Sequence, residues 1–203
     1  MDEEIQALFK TGACEFTDRA DVLKEQKEIV KSTWAFRKKR KPSGEVTRYK
    51  SRLCVRGDLQ KATGTYDRNE TFAPVVEWVT VRLLFTLGLV ENWKTASIDF
   101  ANAFTQASLP EPIFLELPPG YAEANPELAN KVIKVKTSLY GDRRAANLWY
   151  RKIASTLVDT LHFSSSELDP CLFIRQDCII VLYVDDAIIL ARDDSTLEKQ
   201  QYC

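Results

Sequence analysis

The sequence predicts an α+β fold in which an antiparallel sheet is backed by helices. Three observations predict it. Cys178–Ala191 reads CIIVLYVDDAIILA, two runs rich in Ile, Val and Leu around Asp185 and Asp186, and two short buried strands joined by a polar step make a hairpin. Ala145–Leu161 places Trp149, Ile153, Leu157 and Leu161 every four residues, with Leu148 alongside, as an amphipathic helix does. Thr33–Lys41 and Val46–Val55 are extended, cation-rich segments around Pro42-Ser43-Gly44-Glu45, a Pro/Gly turn between strands.

The other elements follow in order. Residues 2–10 make a short helix with Ile5, Leu8 and Phe9 on one face, whereas 18–31 is charged and too weakly periodic to assign. In the basic hairpin, strand alternation puts Arg48, Lys50 and Arg52 on one face. Glu70–Glu77 is a loop containing Pro74, and 79–91 is apolar nearly all round, as a buried helix is. Lys94–Phe100 is a strand ending at Asp99, Asn102–Ala107 starts a helix that Pro110-Glu111-Pro112 closes, and Ile113–Leu117 and Lys131–Thr137 alternate as strands. Ser195, with Glu198 three residues on, predicts the N-cap of a last helix.

Composition narrows the function classes. A chain of 203 residues that is 45% hydrophobic suits one globular unit or two small lobes. The formal net charge of −1 hides a basic block: Lys31–Lys61 holds eleven Lys or Arg against two acids. Such a block on an acidic body is a candidate phosphate-binding surface. The five cysteines include no C-x-x-C pair, and the one histidine, His162, follows the 145–161 helix where capping or packing is its expected role. The N-terminus lacks the features of a signal peptide and no run of eighteen apolar residues exists, so the expectation is an intracellular protein with reduced thiols and no membrane contact.

Two adjacent carboxylates enclosed by apolar strands are costly unless something positive meets them. A divalent metal is the usual answer, since carboxylates are hard oxygen ligands; plain turn chemistry is the simpler reading of an Asp-Asp step. Asp99 ends a separate strand, and carboxylates from separate strands converging on two ions ~3.5–4 Å apart are what nucleotidyl transfer uses. Cations such as Lys50 and Arg52 would hold the phosphates.

Five stretches now carry a resemblance: RYKSRLCVRG (48–57), TFAPVV (71–76), DFANAF (99–104), SLYG (138–141) followed by Leu148-Trp149, and YVDD (183–186). In this order they resemble the reverse transcriptase domain of copia-type LTR retrotransposon Pol polyproteins, over about 33–194. The resemblance implies fingers over 1–77 and a partial palm over 78–203, with thumb and RNase H domain absent. It also implies an RNA-directed DNA polymerase that adds dNTPs to a primer 3′-hydroxyl with Mg²⁺, or Mn²⁺, on an RNA or DNA primer-template. Asp99 and Asp185 would be the metal ligands, with Asp186 completing the catalytic carboxylates. Lys50 and Arg52 would grip the triphosphate and Phe104 would exclude a ribose 2′-hydroxyl. Gly141 and Arg144 complete the implied substrate-binding set.

The chain departs from the family after LYG, where Asp142-Arg143-Arg144-Ala145-Ala146 replaces a Leu-Lys-Gln-Ala-Pro-like run. Arg144 stands where the family has a Gln that contacts the nucleotide, and a guanidinium cannot reproduce an amide's paired donor and acceptor. The alternative expectation is therefore an inactive fragment that binds nucleic acid through its basic hairpin, with steep salt dependence. A different two-metal enzyme, such as a nucleotidyl cyclase, is opposed by the basic hairpin and LYG.

Overall fold

A computed structural model describes residues 2–61 and 66–201. In chain order the elements are α1 (Asp2–Lys10), β1 (Cys14–Asp18), α2 (Arg19–Lys24), β2 (Ile29–Val30), β3 (Ser32–Arg40), β4 (Val46–Val55), α3 (Trp78–Val90), β5 (Lys94–Asp99), β6 (Ser108–Leu115), α4 (Tyr121–Ala124), β7 (Lys131–Thr137), α5 (Ala145–Ser155), β8 (Ser164–Ser165), β9 (Leu172–Arg175), β10 (Cys178–Tyr183), β11 (Asp186–Ala191) and α6 (Asp194–Gln201). The fold is α+β, as predicted. No helix among the described residues is long and apolar enough to cross a membrane.

The chain forms two compact units, Met1–Thr71 with Phe104–Leu148, and Phe72–Ala103 with Trp149–Cys203. The expected single division at residue 77 therefore differs from the observed one. The reason is strand pairing: β7 pairs with both β1 and β6, which ties the middle of the chain to its beginning.

The first unit holds a four-stranded sheet in the order β1-β7-β6-β2 and the β3–β4 ribbon. Its core gathers Leu8, Leu53, Val55, Leu115, Ile133, Val135 and Leu139. Strand β1 was not predicted; CEFTD has one strong apolar residue, Phe16, and draws its stability from pairing with β7. Pro110 and Pro112, expected to end a helix, lie within β6, which the register shift between Ser108 and Ile113 accommodates. The helix expected from Asn102 is a 3-10 turn at Ala103–Gln106.

The second unit holds a five-stranded antiparallel sheet in the order β5-β11-β10-β9-β8. Both of its faces are covered, which explains the unbroken apolar runs of β10 and β11. Ile179, Val181 and Leu190 pack with Leu84 of α3, whereas Cys178, Ile180, Leu182 and Ile189 pack with Leu157. Gly88 lets α3 approach closely: a Cβ there would stand 3.1 Å from the Leu190 side chain. Buried Asp169 accepts hydrogen bonds from the Thr80 hydroxyl (2.6 Å) and from the Glu77 (3.1 Å) and Cys171 (3.0 Å) amides, which pins the start of α3.

After Ser155 the helix widens into a π turn, Thr156–Thr160. It stops at His162, whose φ of 58° is left-handed and which therefore serves as the capping residue. Asp193 rather than Ser195 caps α6: its carboxylate accepts from the Thr196 amide at 2.8 Å and the Ser195 hydroxyl at 2.7 Å. Cys14, Cys54, Cys171 and Cys178 are free thiols; Cys203 lies outside the described residues.

Candidate active site

The three acids lie in the second unit, Asp99 and Asp186 on neighbouring strands and Asp185 in the loop beside them. β11 pairs with β10 from Tyr183↔Asp186 onward, so the two-residue loop is Val184-Asp185 and Asp186 opens the next strand. The sequence predicts both acids at the hairpin tip, whereas only Asp185 lies in the loop. The offset arises because Val184 takes the left-handed position, φ 56°, a place usually given to glycine.

The register then puts Asp186 directly opposite Asp99. Directly paired residues send their side chains to one face with Cβ atoms about 4.5–5.5 Å apart, so these carboxylates are neighbours and both are exposed. Asp186, rather than Asp185, is thus the cross-strand partner of Asp99. Asp185 meets the Asp99 strand through its backbone, its carbonyl accepting from the Phe100 amide at 3.0 Å. Asp186 also borders a cleft of about 630 Å³ whose walls include Trp78, Val81, Val181 and Tyr183.

The turn is held from a second side. The Trp149 indole N–H donates to the Val184 carbonyl at 2.8 Å, and the Trp149 and Phe100 rings meet edge to face at 5.3 Å. Two residues that touch the loop backbone thus also touch each other. The sequence marks Trp149 as a helix-core residue and as part of the motif that follows SLYG, and nothing in its spacing signals the indole bond.

No group of three His, Cys, Asp or Glu side chains among the described residues is arranged to hold a metal ion. The donor set nonetheless fits Mg²⁺, which is bound by one or two carboxylates with water and substrate phosphate completing its shell. Asp99 and Asp186, paired across the strands and exposed, are two hard oxygen donors that could hold such an ion, and Asp185 is adjacent in the chain.

The remaining predicted residues lie in the first unit. Lys50 and Arg52 stand on the same face of β4, opposite Arg37 and Ala35 of β3. Burial, then the positive charges of Arg52 and Lys39, hold the Lys50 ammonium below its usual pKa. An anion there would relieve that crowding.

Arg52 belongs to a column that the sequence did not reveal. Its guanidinium lies 4.3 Å from the centre of the Tyr140 ring, and Tyr140 meets Phe104 edge to face at 4.9 Å. Tyr140 therefore joins the expected phosphate ligand to the expected sugar gate, and residues 88 and 36 positions apart along the chain come together around it.

Gly141, next in line, has φ 86°, and a Cβ on it would fall 2.2 Å from the Val55 carbonyl oxygen. The two segments touch as backbone: the Val55 amide donates to the Tyr140 carbonyl at 2.8 Å, and a Cβ on Gly57 would strike the Gly141 oxygen at 2.1 Å. Arg143 adds a clasp, its Nε donating to the Gly57 carbonyl and its amide to Gln60 Oε1 at 3.1 Å. Arg144 is not open to solvent. Its side chain is 6% exposed and lies 3.5 Å from the wholly buried Asp142 carboxylate, which also accepts the Arg144 amide at 2.9 Å. Asp142 and Arg144, two of the departures from the family pattern, are thus one charge pair.

Comparison with known proteins adds the following. A family model described as reverse transcriptase (RNA-dependent DNA polymerase) matches residues 18–202. The chain is 30% identical, over 98% of its length, to the retrovirus-related Pol polyprotein from transposon TNT 1-94 of Nicotiana tabacum, of which it covers 15%. It is 32% identical over 83% of its length to the corresponding polyprotein from transposon RE1 of Arabidopsis thaliana, covering 12% of that protein. With the transposon Ty1-LR2 Gag-Pol polyprotein of Saccharomyces cerevisiae it shares 28% identity over 88% of its length, or 9% of the polyprotein.

Proposed function

The chain belongs to the reverse transcriptase (RNA-dependent DNA polymerase) family of copia-type Pol polyproteins, and from that premise we propose that it adds dNTPs to a primer 3′-hydroxyl on an RNA or DNA template. The observation that carries the proposal is the register that pairs Asp99 with Asp186 and leaves Asp185 in the adjoining loop. Mg²⁺ or Mn²⁺ bound there would supply Lewis acidity at the attacking hydroxyl and the departing pyrophosphate.

The protein's own groups do the rest. Asp99, Asp185 and Asp186 hold a concentrated negative charge at one end of the strands, next to the apolar packing on both faces of β10 and β11. Lys50 and Arg52 bind and orient the triphosphate, as charged donors do for phosphoryl groups. Phe104, braced by Tyr140, closes the space that a 2′-hydroxyl would occupy. Gly141 keeps the Tyr140 backbone against β4, and Arg144 acts through Asp142 to hold that turn. The cytoplasm, the nucleus and an intracellular particle are all compartments in which such a polymerase would meet template.

Primer extension on an annealed RNA template, with dNTPs and Mg²⁺ or Mn²⁺, tests the proposal against an Asp185→Ala/Asp186→Ala control. A second reading is a chain that grips nucleic acid without catalysis. The burial of Arg144 against Asp142, where the family carries a nucleotide-contacting amide, favours it. It predicts salt-sensitive primer-template binding with no extension.

A further inference from the structure

Sequence pattern and burial disagree at α3. WVTVRLLFTLGLV is apolar nearly all round, the pattern of a helix enclosed on every side. Yet only Thr80, Leu84 and Gly88, the stripe that meets the sheet, are buried. On the outer side Trp78 and Val79 are each 74% exposed, Leu83 65%, Leu89 84% and Val90 75%, with Phe85 exposed beside them. Arg82 is the one charged residue in the helix. An apolar face of this extent marks an interaction surface rather than scattered exposure.

The order of residues on that face specifies its partner. Val79, Leu83, Thr86 and Val90 recur at spacings of four, three and four, the seam along which paired helices interlock. Thr86 fits such a seam because its hydroxyl is already engaged, donating to the Arg82 carbonyl at 3.0 Å. The seam has the same spacing in both directions: reversing the helix exchanges Val79 with Val90 and Leu83 with Thr86. It therefore fits a second copy of itself lying antiparallel, the isologous contact of a two-fold dimer. Charge agrees, since antiparallel pairing sets Arg82 about 7.5 Å along the axis from its counterpart, and the helix's one cation meets no like charge directly. Trp78 and Phe85 also wall the cleft beside Asp186, which centres the contact on Val79, Leu83 and Val90.

We propose that α3 is a dimer interface, two copies of the protein packing antiparallel through Val79, Leu83, Thr86 and Val90. The exposed apolar face presents roughly 800 Å² per copy, the share that each partner gives to a standard interface. A contact of that size supports dissociation constants from micromolar downward. The register is specific: Val79 of one copy lies opposite Val90 of the other, at both ends of the contact, whereas the two Val79 residues stand about 16 Å apart along the axis. The inference is independent of the polymerase reading, since the seam touches none of the three acids.

Sedimentation velocity of the full chain across the micromolar range tests it. Wild type passes from monomer to a discrete species of twice the mass. Leu83→Glu puts a charge in the middle of the seam at an exposed position, and weakens dimerisation on the order of a hundredfold while the circular dichroism spectrum stays unchanged. Disulfide trapping reads the register. Under mild oxidation Val79→Cys/Val90→Cys forms a covalent dimer, whereas Val79→Cys alone, with its copies too far apart for a disulfide, does not exceed wild type. A monomer throughout the range leaves the face to a different polypeptide and overturns the proposal. So does a polydisperse aggregate, a dimer that survives Leu83→Glu, or equal trapping of Val79→Cys and Val79→Cys/Val90→Cys.

Discussion

The Trp149 indole N–H donates to the Val184 carbonyl at 2.8 Å, and Val184 sits at a φ of 56°. A β-branched residue in left-handed backbone costs about 1–2 kcal/mol, so the bond holds a strained residue beside the loop acid Asp185 and the strand acid Asp186. Trp149→Phe keeps the ring against Phe100 but removes the donor. Urea unfolding should show a loss of about 1–3 kcal/mol, the penalty of an unpaired carbonyl. Val184→Gly relieves the backbone strain, so the Trp149→Phe loss should shrink in a Val184→Gly background. Additive losses would mean that the indole bond and the strain are independent.

Arg52, Tyr140 and Phe104 form one column, so they should act as a unit on sugar choice. Phe104→Ala is expected to raise incorporation of rNTPs relative to dNTPs by about 10–200-fold, the range that pocket shape commands. Tyr140→Ala should produce part of that change through the unsupported Phe104 ring. Steady-state incorporation of matched dNTP and rNTP pairs measures both, and unchanged discrimination in Tyr140→Ala would separate Tyr140 from the gate.

Gly141 combines a left-handed φ with a Cβ position 2.2 Å from a backbone oxygen. Neither strand nor turn can yield without breaking the Val55–Tyr140 hydrogen bond. Gly141→Ala should therefore destabilise the protein by more than the roughly 1–2 kcal/mol of the conformational penalty alone. Gly44→Ala, at φ 86° with open space around its Cβ, should lose about that penalty and no more. Chemical denaturation of the two variants side by side checks the difference.

Burial raises the thiols of Cys171 and Cys178 from 9.0 to about 11, and that of Cys14 to about 12. A folded-state pKa above the unfolded one means that the native protein holds protons the unfolded chain has released. The stabilisation is thus complete below pH 9 and is lost as pH rises toward 11–12. Denaturation midpoints should fall over that window, and less steeply in Cys171→Ala/Cys178→Ala. A midpoint that rises with pH there would contradict the burial of these thiols.

The parts of the fold legible in the sequence are those where burial dictates pattern. The β10–β11 hairpin is covered on both faces, so its strands read as unbroken apolar runs, and α5 has one dry stripe and reads at helical spacing. β1 eluded pattern reading because CEFTD is only partly buried and relies on β7. The one-residue offset of the acid loop was illegible for a different reason: turn chemistry disfavours Val at φ 56°, and only the surrounding bonds from Trp149 and Phe100 make it tenable. Tyr140 belongs to the SLYG stretch, yet its role depends on Arg52 and Phe104 arriving from distant segments, which no local spacing encodes. Asp142 and Arg144 looked like two unrelated departures until their contact made them a pair.

The most direct test of the central claim is single-nucleotide incorporation opposite an RNA template, measured under single-turnover conditions for wild type, Asp99→Asn, Asp185→Asn and Asp186→Asn. If the acid pair and its loop neighbour form one metal-dependent centre, wild type incorporates dNTP only with Mg²⁺ or Mn²⁺. Asp99→Asn and Asp186→Asn, direct cross-strand partners, then both lose on the order of a hundredfold or more in rate, with primer-template affinity unchanged. Incorporation by Asp99→Asn at the wild-type rate would contradict the account.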